Sequence, residues 1–299
     1  MPTASAPRSS PRAPTYDATQ GQNPPYGASI NYYLKSTPAG GAKLAIVDAS
    51  GQTVRTLTGP AAPGINRIWW DLRFSPTKPM RLRTSPLYAP EITMGPDGYR
   101  PAPGGQPISL LAPPGTYTVK LTVEGKDYTQ TLKVLKDPHS NGTECDIQIQ
   151  TKLLTSLSGT TNNMVDAVNL IESLRAQVAE LKGAVGTDQT SASLRAAADQ
   201  LNDKLIEVED NLIRLKATGR GQDTVRWSPK LIDKLGYLAT EVESSDDQPT
   251  TQQMAVHDEL KEQAATYQQR LKLLLEKEVA GFNALLHQCN VPNIVTNVP

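Results

Sequence analysis

The sequence predicts an α+β chain of two modules in series: an antiparallel β module, then an elongated antiparallel helical bundle. Three observations carry this. Twenty of the 24 prolines lie at or before Pro138. The same stretch alternates apolar and polar residues with the period of two that a half-buried strand needs. Beyond Asp137-Pro138 apolar residues recur at three- and four-residue steps, and Pro229 and Pro249 stand where helices begin.

Residues 1–27 are rich in Pro, Ser and Ala and have no apolar run, so they read as a flexible leader or linker and not as a signal peptide. Ala28 to Leu34 sets Ile30, Tyr32 and Leu34 on one face and Ser29, Asn31 and Tyr33 on the other. Lys43 to Asp48, a turn at Ala49-Ser50-Gly51, and Thr53 to Leu57 read as a hairpin. Gly64 to Arg73 points Ile68, Trp70 and Leu72 inward and Arg67, Trp69 and Asp71 outward. Tyr117, Val119, Leu121 and Val123, a tight turn around Glu124-Gly125-Lys126, then Tyr128, Gln130, Leu132 and Val134 form a second hairpin. Short strands joined by such turns predict an immunoglobulin-like antiparallel sandwich over residues 28–136.

Residues 74–113 interrupt that pattern with a Pro/Gly-rich insertion too long for a hairpin loop. It carries Tyr88, Tyr99, Arg81, Arg83 and Arg100. Two readings stand: a binding loop beside Trp69, with flat aromatic area and forked donors, or a cover that packs over the outer face of the sheet and buries Trp69.

Residues 137–142 are a linker, and 143–290 are helical. Leu154, Leu157, Thr161, Met164, Val168, Ile171, Leu174, Val178 and Leu181 form the first stripe. Leu194, Ala198, Leu201, Leu205, Val208, Leu212 and Leu215 form the second, and Leu231, Leu235, Leu238 and Val242 a shorter third. The last runs from Leu260 through Leu274, then from Leu275 through Val279, Phe282 and Leu286 to Cys289, with one phase shift. Ser228-Pro229 and Thr250 with Gln253 mark helix starts, Asp188 to Ser193 holds another, and Gly183 and Gly219 mark exits. His257 falls on the expected polar side of its helix, and the charge run Glu207 to Asp210 reads as a solvated face. Residues 291–299 are a tail.

With four antiparallel helices, Cys145 and Cys289 fall at the same end of the bundle. A disulfide between them is then geometrically open, given an oxidising compartment; the other reading is two free thiols.

Part of the β module is familiar. Leu44-Ala-Ile-Val-Asp-Ala-Ser-Gly-Gln-Thr-Val-Arg-Thr-Leu57, Pro63-Gly-Ile-Asn-Arg-Ile-Trp-Trp-Asp-Leu-Arg73 and Pro114-Gly-Thr-Tyr-Thr-Val119 resemble the immunoglobulin-like module of flagellar hook-capping proteins. They look still more like the C-terminal region of bacterial BNR-repeat proteins of the sortilin or glycosyl-hydrolase type, where a β-propeller precedes a sandwich and helices. Asn23-Pro-Pro-Tyr-Gly-Ala-Ser-Ile30 fits the exit from such a propeller. The propeller's Asp-box turns do not occur here, so no propeller-borne activity transfers to a residue of this chain. The resemblance implies an extracytoplasmic location and a neighbouring propeller or other protein as partner.

The composition narrows the alternatives. Thirty basic residues balance thirty acidic ones, which gives no electrostatic footprint for nucleic acid. No apolar run approaches the ~20 residues of a membrane span. His139, His257 and His287 stand in no metal-ligand spacing, no inward Glu-x-x-His pair marks a bundle metal site, and neither a nucleophile elbow nor a phosphate loop occurs. The expectation is therefore no catalytic residue, no cofactor and no metal. The primary reading is a non-catalytic accessory or protein-interaction tail module. The alternatives are a carbohydrate-binding module using Trp69, Tyr33, Tyr88, Tyr99, Arg81 and Arg83, and a hydrolase with an unrecognised carboxylate site. The patterning also predicts separate interiors for the two modules and no buried cluster of ionisable groups.

Overall fold

The computed structural model describes residues 25–102, 107–185, 189–218 and 222–296. Most of the leader, Asp188 and Gly219 lie outside the described residues. The protein is mixed α and β. Strands β1 (Ala28–Leu34) and β4 (Gly64–Trp70) form a two-stranded antiparallel sheet. Strands β2 (Ala42–Val47), β3 (Thr53–Gly59), β5 (Gly115–Val123) and β6 (Lys126–Val134) form a four-stranded antiparallel sheet in the order β3-β2-β5-β6.

Local chemistry sets both hairpins. Between β2 and β3, Asp48 Oδ1 accepts from the N–H groups of Ser50 and Gln52, each at 2.9 Å, and from the Ser50 hydroxyl. The Ser50 bond, helped by those backbone donors, holds the Asp48 carboxyl below its usual range. Between β5 and β6, Glu124 and Gly125 both have positive φ (49° and 77°), as a two-residue turn that follows the twist of its strands requires.

The inward residues of both sheets share one apolar cluster around the fully buried Trp70, which meets Tyr117 edge-on at 5.4 Å. The Trp70 Nε1–H donates to the Arg73 carbonyl and the Tyr117 hydroxyl to the Pro113 carbonyl, both at 2.9 Å. Burial pushes the Tyr117 phenol up to about 12.

Helix α1 (Glu144–Ala184) is 41 residues long, about 61 Å at 1.5 Å per residue. Thr143 caps it in a reciprocal box with Asp146. The others are α2 (Gln189–Leu212), a short α3 (Asp223–Arg226), α4 (Leu231–Glu243), α5 (Thr251–Leu274) and α6 (Ala280–Gln288). The Thr250–Gln253 box opens α5 as expected. Helix α4 starts two residues later than Ser228-Pro229 implies, with the Lys230 N–H donating to Asp233 at 3.0 Å. A π-helical turn, Leu275–Val279, joins α5 to α6. It absorbs the one extra residue in the apolar stripe and keeps Val279, Phe282 and Leu286 on the buried side.

Helices α2 and α4 lie end to end along α1, running the same way. Arg175, late in α1, meets Glu209 of α2, whereas Gln150, early in α1, donates to the Val242 carbonyl at the end of α4. The expected parity of four antiparallel helices is therefore wrong, and the disulfide fails with it. Cys145 stands in the first turn of α1. Cys289 follows α6 at the other end, where Gln177 bonds Val295. The α1 segment from Cys145 to Gln177 alone covers about 48 Å. Both cysteines are free thiols, Cys145 exposed and Cys289 half-buried. In the stretch expected to be a tail, Ile294 is buried in the helical core.

The insertion corrects another expectation. Trp69 is half-buried on the outward side of β4, and the insertion does not form a free loop. It runs as an irregular antiparallel ribbon, with Phe74 N–H bonded to Leu110 O and Thr77 N–H to Ile108 O. Its Leu82, Ile108 and Leu110 enter the helical core. The helical core thus takes in part of residues 74–113, while the sheets keep a core of their own, and Phe74 packs against both.

Candidate functional site

Four polar residues of α1, Asn162, Asp166, Asn169 and Glu172, recur at helical spacing and face the insertion. Asn162 Oδ1 accepts from the Lys78 N–H at 2.8 Å, and Asn169 Oδ1 from the Arg81 N–H at 2.6 Å. Asp166 pairs with the Lys78 ammonium at 2.6 Å. Glu172 accepts from the N–H groups of Arg83 and Thr84 at 2.6 and 2.7 Å and from the Thr84 hydroxyl at 2.9 Å. A ribbon with few ladder partners of its own thereby satisfies its backbone donors on a helix face.

Behind this seam lies a buried ionic cluster that the charge pattern did not predict. The side chains of Glu172 and Glu209 are fully buried, and Arg175 bridges them at 3.5 and 2.7 Å. Arg100 is almost as deep and donates through Nε to the Thr84 carbonyl at 2.6 Å. Burial, then the proximity of Glu172, pushes the Glu209 carboxyl well above its ordinary range. Burial pulls the Arg100 guanidinium down. Glu209 therefore sits inside, not on the solvated face expected for Glu207 to Asp210. The elements around it are α1, α2 and the ribbon. Two carboxyls in contact can act as an acid–base pair, but each of these is enclosed and tied to a structural partner.

The expected binding residues fall into three places. Tyr33 and Trp69 share the outward face of the β1–β4 sheet, four positions apart on paired strands, or about 13 Å. Between them Arg67 Nε donates to Asn31 Oδ1 at 2.8 Å. Arg81, Arg83 and Tyr99 meet on the outer side of the insertion. There the Leu82↔Arg100 bridge turns Leu82 and Arg100 toward the helices. The Arg81 and Arg83 guanidinium carbons stand 5.7 and 5.4 Å from the Tyr99 ring centre. Tyr88 belongs to neither group: Lys216, just past α2, sits 4.8 Å from its ring and 5.2 Å from that of Trp227. A single site using all six residues is not formed.

Two further features were not legible. His257 is buried, contrary to expectation, and links Ser156 Oγ (2.9 Å from Nε2) to Asp258 Oδ1 (3.0 Å from Nδ1). The order matches a hydrolytic triad. However, Ser156 lies mid-helix, where neighbouring N–H groups are committed to the α1 ladder and offer no oxyanion donors, and the Asp258 side chain is 76% exposed. The chain of bonds pins α5 to α1. The second feature is a groove of about 1260 Å³ along α4, with Tyr237 and Val256 exposed in it.

Asp71 closes the turn after β4: its Oδ1 accepts from the Arg73 N–H at 3.0 Å. Among the described residues no group of three or more His, Cys, Asp or Glu is placed to hold a metal ion, and no helix is long and apolar enough to cross a membrane. Compared with protein-family models, with curated proteins and with solved structures, the chain matches none.

Proposed function

We propose that this chain is a non-catalytic accessory or protein-interaction module, an immunoglobulin-like sandwich coupled to a helical bundle. Its parent type is the tail of an exported BNR-repeat, glycosyl-hydrolase-like protein, acting outside the cytoplasm. One observation carries the reading: the polar face of α1 is committed to the insertion, and the deepest charges fix that seam. Buried ionisable groups here join two halves into one scaffold, and the unburied aromatic and cationic groups lie on open faces suited to contact. The Trp-Trp-Asp-Leu-Arg73 and Pro-Gly-Thr-Tyr117 stretches support the parent type by resemblance alone. Co-expression with the protein encoded by the adjacent upstream reading frame tests it. The proposal expects Asp-box repeats in that frame and co-elution of the two chains; an unrelated frame or separate elution contradicts it.

A second reading, carbohydrate binding, is favoured by the Tyr33 to Trp69 row. Two outward aromatics flank a hydrogen-bonded Asn31–Arg67 pair on one strand face, an arrangement able to stack sugar rings and bond their hydroxyls. On this reading, retardation in polysaccharide gels disappears in Trp69→Ala while the fold is retained. Unchanged mobility of the native chain in every polysaccharide tried excludes it.

A further inference from the structure

The outer side of the insertion bears a second constellation, independent of both readings above. The Leu82↔Arg100 bridge, closed by the Arg100 N–H on the Leu82 carbonyl at 2.9 Å, is an alternation device. It drives Leu82 and Arg100 inward and leaves Arg81, Arg83 and Tyr99 on the opposite side. Two backbone bonds to α1, Arg81 N–H to Asn169 and Arg83 N–H to Glu172, fix where those side chains start. The Tyr99 ring then holds both guanidiniums by cation–π contact, and Arg83 Nη2 lies 3.5 Å from its hydroxyl. Among the described residues neither Arg81 nor Arg83 is within 4.0 Å of a carboxylate.

A cavity of about 580 Å³ opens beside this stack, walled by Pro79, Met80, Arg81, Tyr99 and the 95–97 turn. That volume falls in the range of small-molecule sites. Its charge is lopsided. Asp97 stands on the rim, with Oδ1 accepting from the Tyr99 N–H at 3.3 Å. Against it are the Arg81 guanidinium and Arg100 in the lining, with Arg83 held beside them on the Tyr99 ring.

We propose that Arg81 and Arg83, preorganised on Tyr99, form a clamp for a single oxyanion, a carboxylate or phosphate monoester carried on a small sugar-sized body. Guanidinium forks match both groups bidentately, and stacking on the ring fixes the forks before the ligand arrives. Pro79 and Met80 offer apolar contact to the ligand's body. Asp97 disfavours a densely charged polyanion, which would set further negative groups against it.

The test uses the full chain with ¹⁵N-labelled arginine side chains, titrated separately with D-glucuronate, glucose 6-phosphate and glucose. The Nε–Hε signals of Arg81 and Arg83 are expected to move saturably with glucuronate, with glucose 6-phosphate or with both, and to stay in place with glucose. The stronger of the two anions names the source of the charge. In an Arg81→Ala/Arg83→Ala chain, affinity measured calorimetrically should fall about tenfold or more. Tyr99→Phe should largely retain binding and Tyr99→Ala should weaken it. Arg81 is exposed, Arg83 and Tyr99 are half-buried, and neither arginine forms an ion pair, so folding, checked by circular dichroism, should survive. Should a variant nonetheless unfold, the wild-type titrations decide alone. An equal response to glucose, no saturable response to either anion, or undiminished affinity in the double alanine variant overturns the proposal. None of these outcomes touches Trp69 or the upstream partner, so failure here is distinct from failure of the readings above.

Discussion

Arg175 is the residue on which the buried seam turns. It is the cation in contact with both Glu172 and Glu209, and removing it leaves two carboxyls facing each other away from water. Arg175→Met should cost about 3–5 kcal/mol in chemical unfolding, whereas Glu209→Gln keeps the shape and should cost little. The sign of the pH effect follows from Glu209. Its folded-state pKa is raised, so its contribution is present below the unfolded carboxyl range and is lost as pH rises through the folded value. The stability of the native chain relative to Glu209→Gln should therefore decline as pH climbs from about 4.5, and parallel curves would refute this. These charges were invisible in the sequence for a physical reason. Glu172, Arg175 and Glu209 sit one step from the apolar residues Ile171, Leu174 and Val208, where a solvated flank and a flank covered by another segment look alike. The covering segment lies 88 or 89 positions away for the Glu172 bonds. His257 was misplaced for a related reason: its partner Ser156 is 101 positions distant.

Elements whose signals are local were the legible ones. Alternation gave the strands and their inward faces, Trp70 included, and Thr250-x-x-Gln253 gave the start of α5. The phase shift at Leu274-Leu275 marked where the helix must take up an extra residue, now seen as the π-turn Leu275–Val279. Thr143-Glu-Cys-Asp146 is an equally plain cap at the start of α1. Deleting Lys277, an exposed π-turn residue, should convert that turn to α-helix and leave Phe282 and Leu286 buried, with unfolding still cooperative. Deleting exposed Asp203 in α2 should instead rotate Leu205, Val208 and Leu212 by about 100° out of the core and destabilise the chain severely. The insertion, by contrast, has no periodic signal because its partner is a helix face and not a neighbouring strand. An Asn162→Ala/Asn169→Ala chain should lose about 2 kcal/mol and be cut faster by protease within residues 74–113. An unaltered cleavage rate would mean that the α1 stripe does not hold the ribbon.

At the scale of the whole molecule, the sequence's two grammars match two separate apolar cores but do not show which of them the insertion joins. A proline-rich half and a helical half look like beads on a string, yet Leu82, Ile108 and Leu110 from the first are core residues of the second. Arg73, at the root of the ribbon, also pairs with Glu243 at the end of α4 at 2.6 Å, a second tie between the halves. The same long-range assembly moved Cys145 and Cys289 to opposite ends, because α2 and α4 together span the length of α1 that two antiparallel helices were expected to share. Two cores bridged by one ribbon have a thermodynamic consequence, since parts tied through an interlocked segment unfold together. The direct test is equilibrium unfolding of a Trp69→Phe/Trp227→Phe chain, followed by the fluorescence of the remaining Trp70, a reporter of the sheets, and by circular dichroism at 222 nm, a reporter of the helices. Superimposable transitions are the result this bridging predicts; a helical transition well separated from that of Trp70 would contradict it.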